Sequence, residues 1–144
     1  MILLPGLIRG GQHTDERGTL TFFNDFDLKI VKRFYVIDHP DTTVVRAWQA
    51  HKAEQKWFYV IAGKFKVVIV QPDNWEHPSN DLEVYEYTLK SEEAHILHIP
   101  GGVANGFKAL QPNSKMIVFS DFTVEESSND SYRFQNEVWY DWSK

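Results

Sequence analysis

Apolar and polar residues alternate along this chain with a period of two, in short runs broken by clusters of Gly, Pro, Asn, Asp and Ser. That pattern predicts strands at Thr19–Phe23, Ile30–Ile37, Val44–His51, Lys56–Ala62, Phe65–Val70, Leu82–Leu89, Ile96–Ile99, Gly106–Leu110 and Lys115–Phe122. Gly10-Gly11, Asp15–Gly18, Asn24–Asp27, His39–Asp41 and Gly63-Lys64 read as turns, and Gln71–Asp81 as a long polar loop. No segment of any length has a helical period. The tail from Val124 to Lys144 is acidic and then aromatic, which fits a short helix followed by an edge strand. Roughly nine short strands with regular turn signals predict an all-β sandwich or barrel, and the pattern alone does not choose between them.

The stretch Arg46 to Gly63 concentrates polar groups where a strand face should be apolar. Strict alternation puts Val45, Ala47, Gln49 and His51 on one face, and Lys56, Phe58, Val60 and Ala62 on one face of the next strand. Gln49, His51 and Lys56 are therefore expected to point together into whatever the sheet encloses, where polar groups need a partner or a ligand. The same alternation puts Arg46 on the opposite face, so a role there requires a bulge or twist.

Composition narrows the function classes. A chain of 144 residues suits one domain, 1–144, with a real core. The net charge of −5 and 15% aromatic content fit an ordered globular protein without the basic face of a nucleic-acid binder. The absence of cysteine removes disulfides, thiolate catalysis and Cys-ligated metals. The opening Met1–Ile8 lacks the basic start and sustained apolar run of a secretory leader, and no apolar run approaches the roughly 20 residues of a membrane span. No nucleic-acid or membrane partner is expected, and a cytoplasmic location is.

Of six histidines, His39 and His77 lie beside prolines and read as solvated loop residues. His95 and His98 fall on opposite strand faces, one surface and one semi-buried. His51 stands apart because it shares a face with Gln49 and is followed by Lys52, Glu54 and Lys56. Its ordinary pKa suits a general base, and a nearby Lys would lower that pKa and steady a developing enolate. The turn from Pro100 to Phe107 fixes a sharp bend from which Asn105 emerges. Arg33, Arg46, Lys52, Lys64 and Lys66 are candidates to hold a diphosphate, and Tyr35, Trp48, Trp57 and Tyr59 to stack on a base or sugar.

The two turns, in this order, resemble the cupin superfamily, whose motifs place metal-ligating residues at positions occupied here by Gln49, His51, Gln55 or Lys56, and Asn105. Amides and an ammonium are poor ligands for a first-row metal, so a site with no metal and no cofactor is expected. The chain is more similar still to the dTDP-4-dehydrorhamnose 3,5-epimerases and the dTDP-4-keto-6-deoxyglucose 3,4-ketoisomerases. The matching segments are Asp15-Glu-Arg-Gly-Thr-Leu20, Lys32-Arg-Phe-Tyr35, Arg46-Ala-Trp-Gln-Ala-His-Lys52, Lys56-Trp-Phe-Tyr-Val-Ile-Ala-Gly63 and Ile99-Pro-Gly-Gly-Val-Ala-Asn-Gly-Phe107.

The resemblance implies a double-stranded β-helix, a cupin-type jelly-roll barrel, assembled as a homodimer. It implies a metal-independent epimerase or ketoisomerase acting on a nucleotide-linked 4-keto-6-deoxysugar, most simply dTDP-linked, in deoxysugar biosynthesis. The epimerase base falls on Gln49, its second histidine on Asn105 and its tyrosine acid on Ile117. Its Lys and Arg fall on Lys56 and Arg46, and the second ketoisomerase histidine on His51. His51 and Lys56 are thus the expected catalytic pair, with Arg33, Tyr35, Arg46, Gln49, Lys52, Tyr59 and Asn105 binding substrate. Tyr35 or Tyr59 is the candidate acid. The alternative is a degenerate cupin that binds a sugar nucleotide or glycan without chemistry. A metal-dependent cupin oxygenase ranks last.

Overall fold

The computed structural model describes residues 4–144. Met1 to Leu3, part of the segment considered above as a leader, lie outside the described residues. With strands numbered along the chain, one antiparallel sheet runs β1 (Gly6–Arg9), β9 (His95–Ile99), β6 (Lys56–Ala62), β11 (Ser114–Ser120), β4 (Arg33–His39). The second runs β12 (Tyr132–Arg133), β5 (Val45–His51), β10 (Val103–Ala109), β7 (Lys64–Val70), β8 (Val84–Lys90). β2 (Gly11–Asp15) and β3 (Gly18–Phe22) form a separate hairpin. The two larger sheets pack face to face as a jelly-roll sandwich of the cupin type whose barrel is not closed.

The inner faces supply the core. Phe58 and Val60 of β6 meet Phe65, Val67 and Ile69 of β7, with Phe107, Met116 and Val118 beside them, all essentially inaccessible. A second apolar layer lies on the outside of the second sheet. There Trp48, Ala50, Val68, Val70 and Ala104 are covered by Phe134, Trp139, Tyr140 and Trp142 of the tail. This explains the unbroken apolar run Val67–Val70, because both faces of β7 are buried. Each such side chain withdrawn from water is worth roughly 1.5–3 kcal/mol. The tail is fastened besides by hydrogen bonds between Trp48 and Phe134 backbones and by the Trp48 indole N–H donating to the Val138 carbonyl at 2.8 Å.

The register between β5 and β10 slips once. Gln49 faces Asn105 and Arg46 faces Phe107, so Ala47 and Trp48 together oppose the single residue Gly106. This is a β-bulge. Gly106 is needed there, since a Cβ would meet Ala47 Cβ at 2.8 Å and the Trp142 ring at 2.7 Å. The Ala47–Trp48 peptide is cis. Directly paired residues share a face, and Phe107 points into the core, so the bulge turns Arg46 inward along with Gln49 and His51.

The predicted strands appear with ends shifted by a few residues, and the tail forms α1 (Val124–Ser128) and the edge strand β12. β1 and β2 carry no alternation and were not expected. His39 corrects the sequence reading: it ends β4, is 2% exposed, packs on Phe65 and Phe107, and its Nε2 accepts from Arg46 Nε at 3.1 Å. Burial, then the Arg46 charge, lower its pKa below the ordinary 6.5 against the pull of Asp41 and Asp38. The folded state therefore binds the proton less readily than the unfolded one. Stability from this group is complete above about pH 6.5 and is lost as pH falls below it. Urea unfolding should show stability declining from pH 7.5 to 5.5, and His39→Asn should flatten that slope; an unchanged slope in the variant would remove His39 from the effect.

Candidate active site

The site is built around the short connection between β5 and β6. Lys52, Ala53 and Glu54 present three successive backbone N–H groups, and the Asp130 carboxylate accepts all three at 2.8, 2.9 and 2.8 Å. Burial opposes the charged carboxylate, yet these three donors hold its pKa below the ordinary value. From the other side, the Gly102 N–H donates to the His51 carbonyl at 2.7 Å. Gly101 lies so close that a Cβ would meet the Ala53 carbonyl oxygen at 2.7 Å. The two motif turns are thus pressed against each other, with the segment after α1 clamping them.

His51 is buried, and its Nδ1 lies 2.7 Å from the Asp130 backbone carbonyl. A carbonyl can only accept, so Nδ1 carries the proton and Nε2 carries the lone pair. Nε2 is buried with no partner among the described residues. Burial first, then the Lys56 charge, push the His51 pKa below 6.5, with Glu54 and Asp130 pulling the other way. The result is a neutral imidazole of fixed tautomer with a free basic nitrogen.

Glu54 is the buried carboxylate beneath it. Its Oε1 lies 3.3 Å from His51 Nδ1 and accepts from Ser127 Oγ at 2.6 Å. Its Oε2 accepts from Ser120 Oγ at 2.5 Å and Arg33 Nη2 at 3.2 Å. Arg33 is itself tied to the Phe122 carbonyl. An imidazolium formed at His51 would face this negative charge without any rearrangement.

Lys56 is 5% exposed, points inward, and has no ion pair among the described residues. Its ammonium lies 5.9 Å from the Tyr35 ring, over which the Arg33 guanidinium also sits at 5.1 Å. Gln49 and the buried Asn105 face each other across β5 and β10 in the same interior. His51, Lys56, Arg33, Tyr35, Gln49 and Asn105 therefore share one cup.

Three expected ligand residues sit elsewhere. Lys52 is exposed and reaches over Trp75 and Tyr132 at 5.6 and 5.0 Å. Tyr59 lies on the outer face of the first sheet against Phe23. Arg46 points inward but at the far end of β5, roughly 15 Å from His51 at strand rise, bound to His39. Ile117, matched to the family acid, pairs with Tyr59 on the outer face. Tyr35 is thus the only one of the two tyrosine candidates in the cup. Sequence reasoning missed Ser120, Ser127 and Asp130, and named Glu54 only as a neighbour of His51. The cupin metal does not fit this cup: of Gln49, His51, Lys56 and Asn105 only the imidazole is a good donor, and an ammonium has no lone pair.

No curated protein matches the sequence. Among solved structures, the dTDP sugar isomerase of Desulfovibrio desulfuricans G20 superposes with a TM-score of 0.75 at 21% identity, covering 99% of this chain and 96% of that one. A histidine-to-asparagine variant of the Thermoanaerobacterium thermosaccharolyticum 3,4-ketoisomerase, in complex with TDP-4-keto-6-deoxyglucose, gives 0.72 at 22%, covering 93% and 90%. The rmlC epimerase of Mycobacterium tuberculosis gives 0.78 at 17%, covering 96% and 74%. These likenesses establish the fold. The sequence itself matches the family described as dTDP-4-dehydrorhamnose 3,5-epimerase over residues 6–142. The chain belongs to that family.

Proposed function

We propose that the cup catalyses metal-independent proton transfer alpha to the ketone of a nucleotide-linked 4-keto-6-deoxysugar, with a dTDP-linked hexose as substrate, in deoxysugar biosynthesis. The observation that carries this reading is the unpaired Nε2 of His51, kept basic by the bond from Nδ1 to the Asp130 carbonyl. His51 takes the proton from the carbon beside the carbonyl. The C–H electron pair moves into the new C=C bond, and the carbonyl oxygen becomes an enolate facing the Lys56 ammonium. Glu54 stabilises the imidazolium, and Tyr35, whose ring lies 5.9 Å from the Lys56 ammonium, returns a proton as the acid. Gln49 and Asn105 cannot titrate, so they bind substrate, and one base serves a single isomerisation or epimerisation. Arg33 positions Glu54.

Gln49 and Asn105 also favour a second reading, a cup that binds the sugar nucleotide without turning it over. Proton–deuterium exchange separates the two. Incubation with dTDP-4-keto-6-deoxyglucose in deuterated water should label the sugar. His51→Asn should abolish labelling while leaving dTDP affinity largely intact, and Lys56→Met should slow it by about 10²–10³-fold. Full exchange by His51→Asn would remove it as base, and dTDP binding without exchange by the native chain would leave the binding-only reading. Because burial and Lys56 hold His51 below its ordinary pKa, the acid limb of kcat/KM should lie below pH 6.5; a limb above 6.5 would contradict the assignment.

A homodimer accompanies this reading. Phe34 and Val36 of the edge strand β4 are 65% and 52% exposed, and Ile61 extends the same apolar outer face. Sedimentation should give twice the 16.8 kDa chain mass, and Phe34→Lys with Val36→Lys should return it to one. A native chain that sediments as a monomer would refute the dimer. The location that goes with this function is cytoplasmic; no described helix is long and apolar enough to cross a membrane.

A further inference from the structure

A wide cleft lies away from the cup. It has a volume of about 780 Å³ and is walled by Trp139, Tyr140 and Trp142 of the tail, with Asn80, Asn136 and Asp141 among the polar groups at its edges. A second cavity of about 620 Å³, lined in part by Phe134 and Arg133, shares Asn80 and Val138 with the first. The two together make one groove between the loop after β7 and the tail. The Trp139 indole N–H donates to the Ser79 carbonyl at 2.7 Å and ties these two walls together.

The aromatic wall is rigid. Trp139 meets Trp48 and Phe134 with ring centroids 5.3 and 5.2 Å apart, and Tyr140 meets Trp142 at 4.8 Å. The Tyr140 hydroxyl bonds Glu86, and the Trp142 carbonyl accepts from Lys108 Nζ at 2.7 Å. Trp139 also holds a φ of 71°, a left-handed conformation that bulky residues rarely adopt.

The polar groups narrow the ligand. Asn80, Asn136 and Glu137 have no side-chain hydrogen bond among the described residues, so their donors and acceptors are free for a ligand. The charged side chains lining the larger cleft, Glu137 and Asp141, are both acidic. Cations offset them, since Lys66 and Lys144 lie over the Tyr140 ring at 5.7 Å, Lys108 holds the Trp142 carbonyl and Arg133 lines the adjoining cavity. Charge therefore selects for neither an anion nor a cation, and the aromatic faces and free amides decide the ligand. What remains is a neutral molecule with apolar C–H faces to lie on Trp and Tyr rings and hydroxyls for planar amides and carboxylates. The volume is within the range of about 300–1,000 Å³ typical of ligand pockets. We infer that this groove is a second binding site, for a neutral oligosaccharide, independent of the cup and of its chemistry.

The test uses the full chain with maltotriose, cellotriose and an α-linked mannotriose at millimolar concentration. Saturation-transfer NMR should show transfer to the ring C–H protons of at least one sugar, undiminished by excess dTDP. Asn80→Ala with Asn136→Ala removes two exposed, unbonded side chains that the fold does not use. It should weaken binding about thirtyfold, the worth of two neutral hydrogen bonds. Trp139→Ala should abolish the signal. The site is overturned if no sugar receives transfer, if the double variant binds as tightly as the native chain, or if dTDP displaces the sugar.

Discussion

A single carboxylate holds the cup in order. Asp130 accepts the N–H groups of Lys52, Ala53 and Glu54, while its own backbone carbonyl fixes the proton on His51 Nδ1. One residue thus shapes the turn between two strands and selects the tautomer of His51 at its edge. The contacts reach across 76 to 79 positions of sequence. Asp130 can stay there because the tail beyond it is buried on Trp48 and the outer face of the second sheet. The apolar layer outside the sandwich is therefore as much a part of the site as the groups inside it.

The electrostatics follow from that geometry. Placing Arg33, Glu54, Lys56 and His51 together in a half-closed interior would be costly if each were charged and unpaired. Glu54 is satisfied by two serine hydroxyls and Arg33, which leaves His51 free to be neutral. Lys56 is the group left with an unbalanced charge, and it faces the interior. In the proton abstraction proposed above, negative charge would develop on an oxygen, and an ammonium unpaired among the described residues would be an asset that a structural salt bridge would cancel.

Much of this was legible in the chain. Most strands from β3 to β11 follow from period-two alternation, and the acidic start of the tail fits the short helix α1, which a capping box from Thr123 to Glu126 begins. The inward direction of His51 and Lys56 follows from the same alternation. What was not legible has a common cause. β2 is exposed and largely polar on both faces, so it has no hydrophobic phase to read. His39 looks like a turn residue beside proline, and only the packing of Phe65 and Phe107 buries it. Asp130 carries no local sign that it will meet residues from the middle of the chain. Lys52 was assigned to the site for its charge and its place in the matching segment, and Tyr59 for its ring, and the backbone sends both outward.

The bulge at Ala47 and Trp48 gives β5 two opposite phases, one on each side of a single extra residue. Residues before it and after it both present their polar members to the interior. Variation in length at this point therefore differs in kind from variation in residue type. Flattening the bulge at constant length would turn Arg46 outward and bring Val45 in, exchanging a cation for an aliphatic wall at one end of the cup. Loss of one residue between Arg46 and Gln49 would instead remove the bulge and leave Arg46 inward.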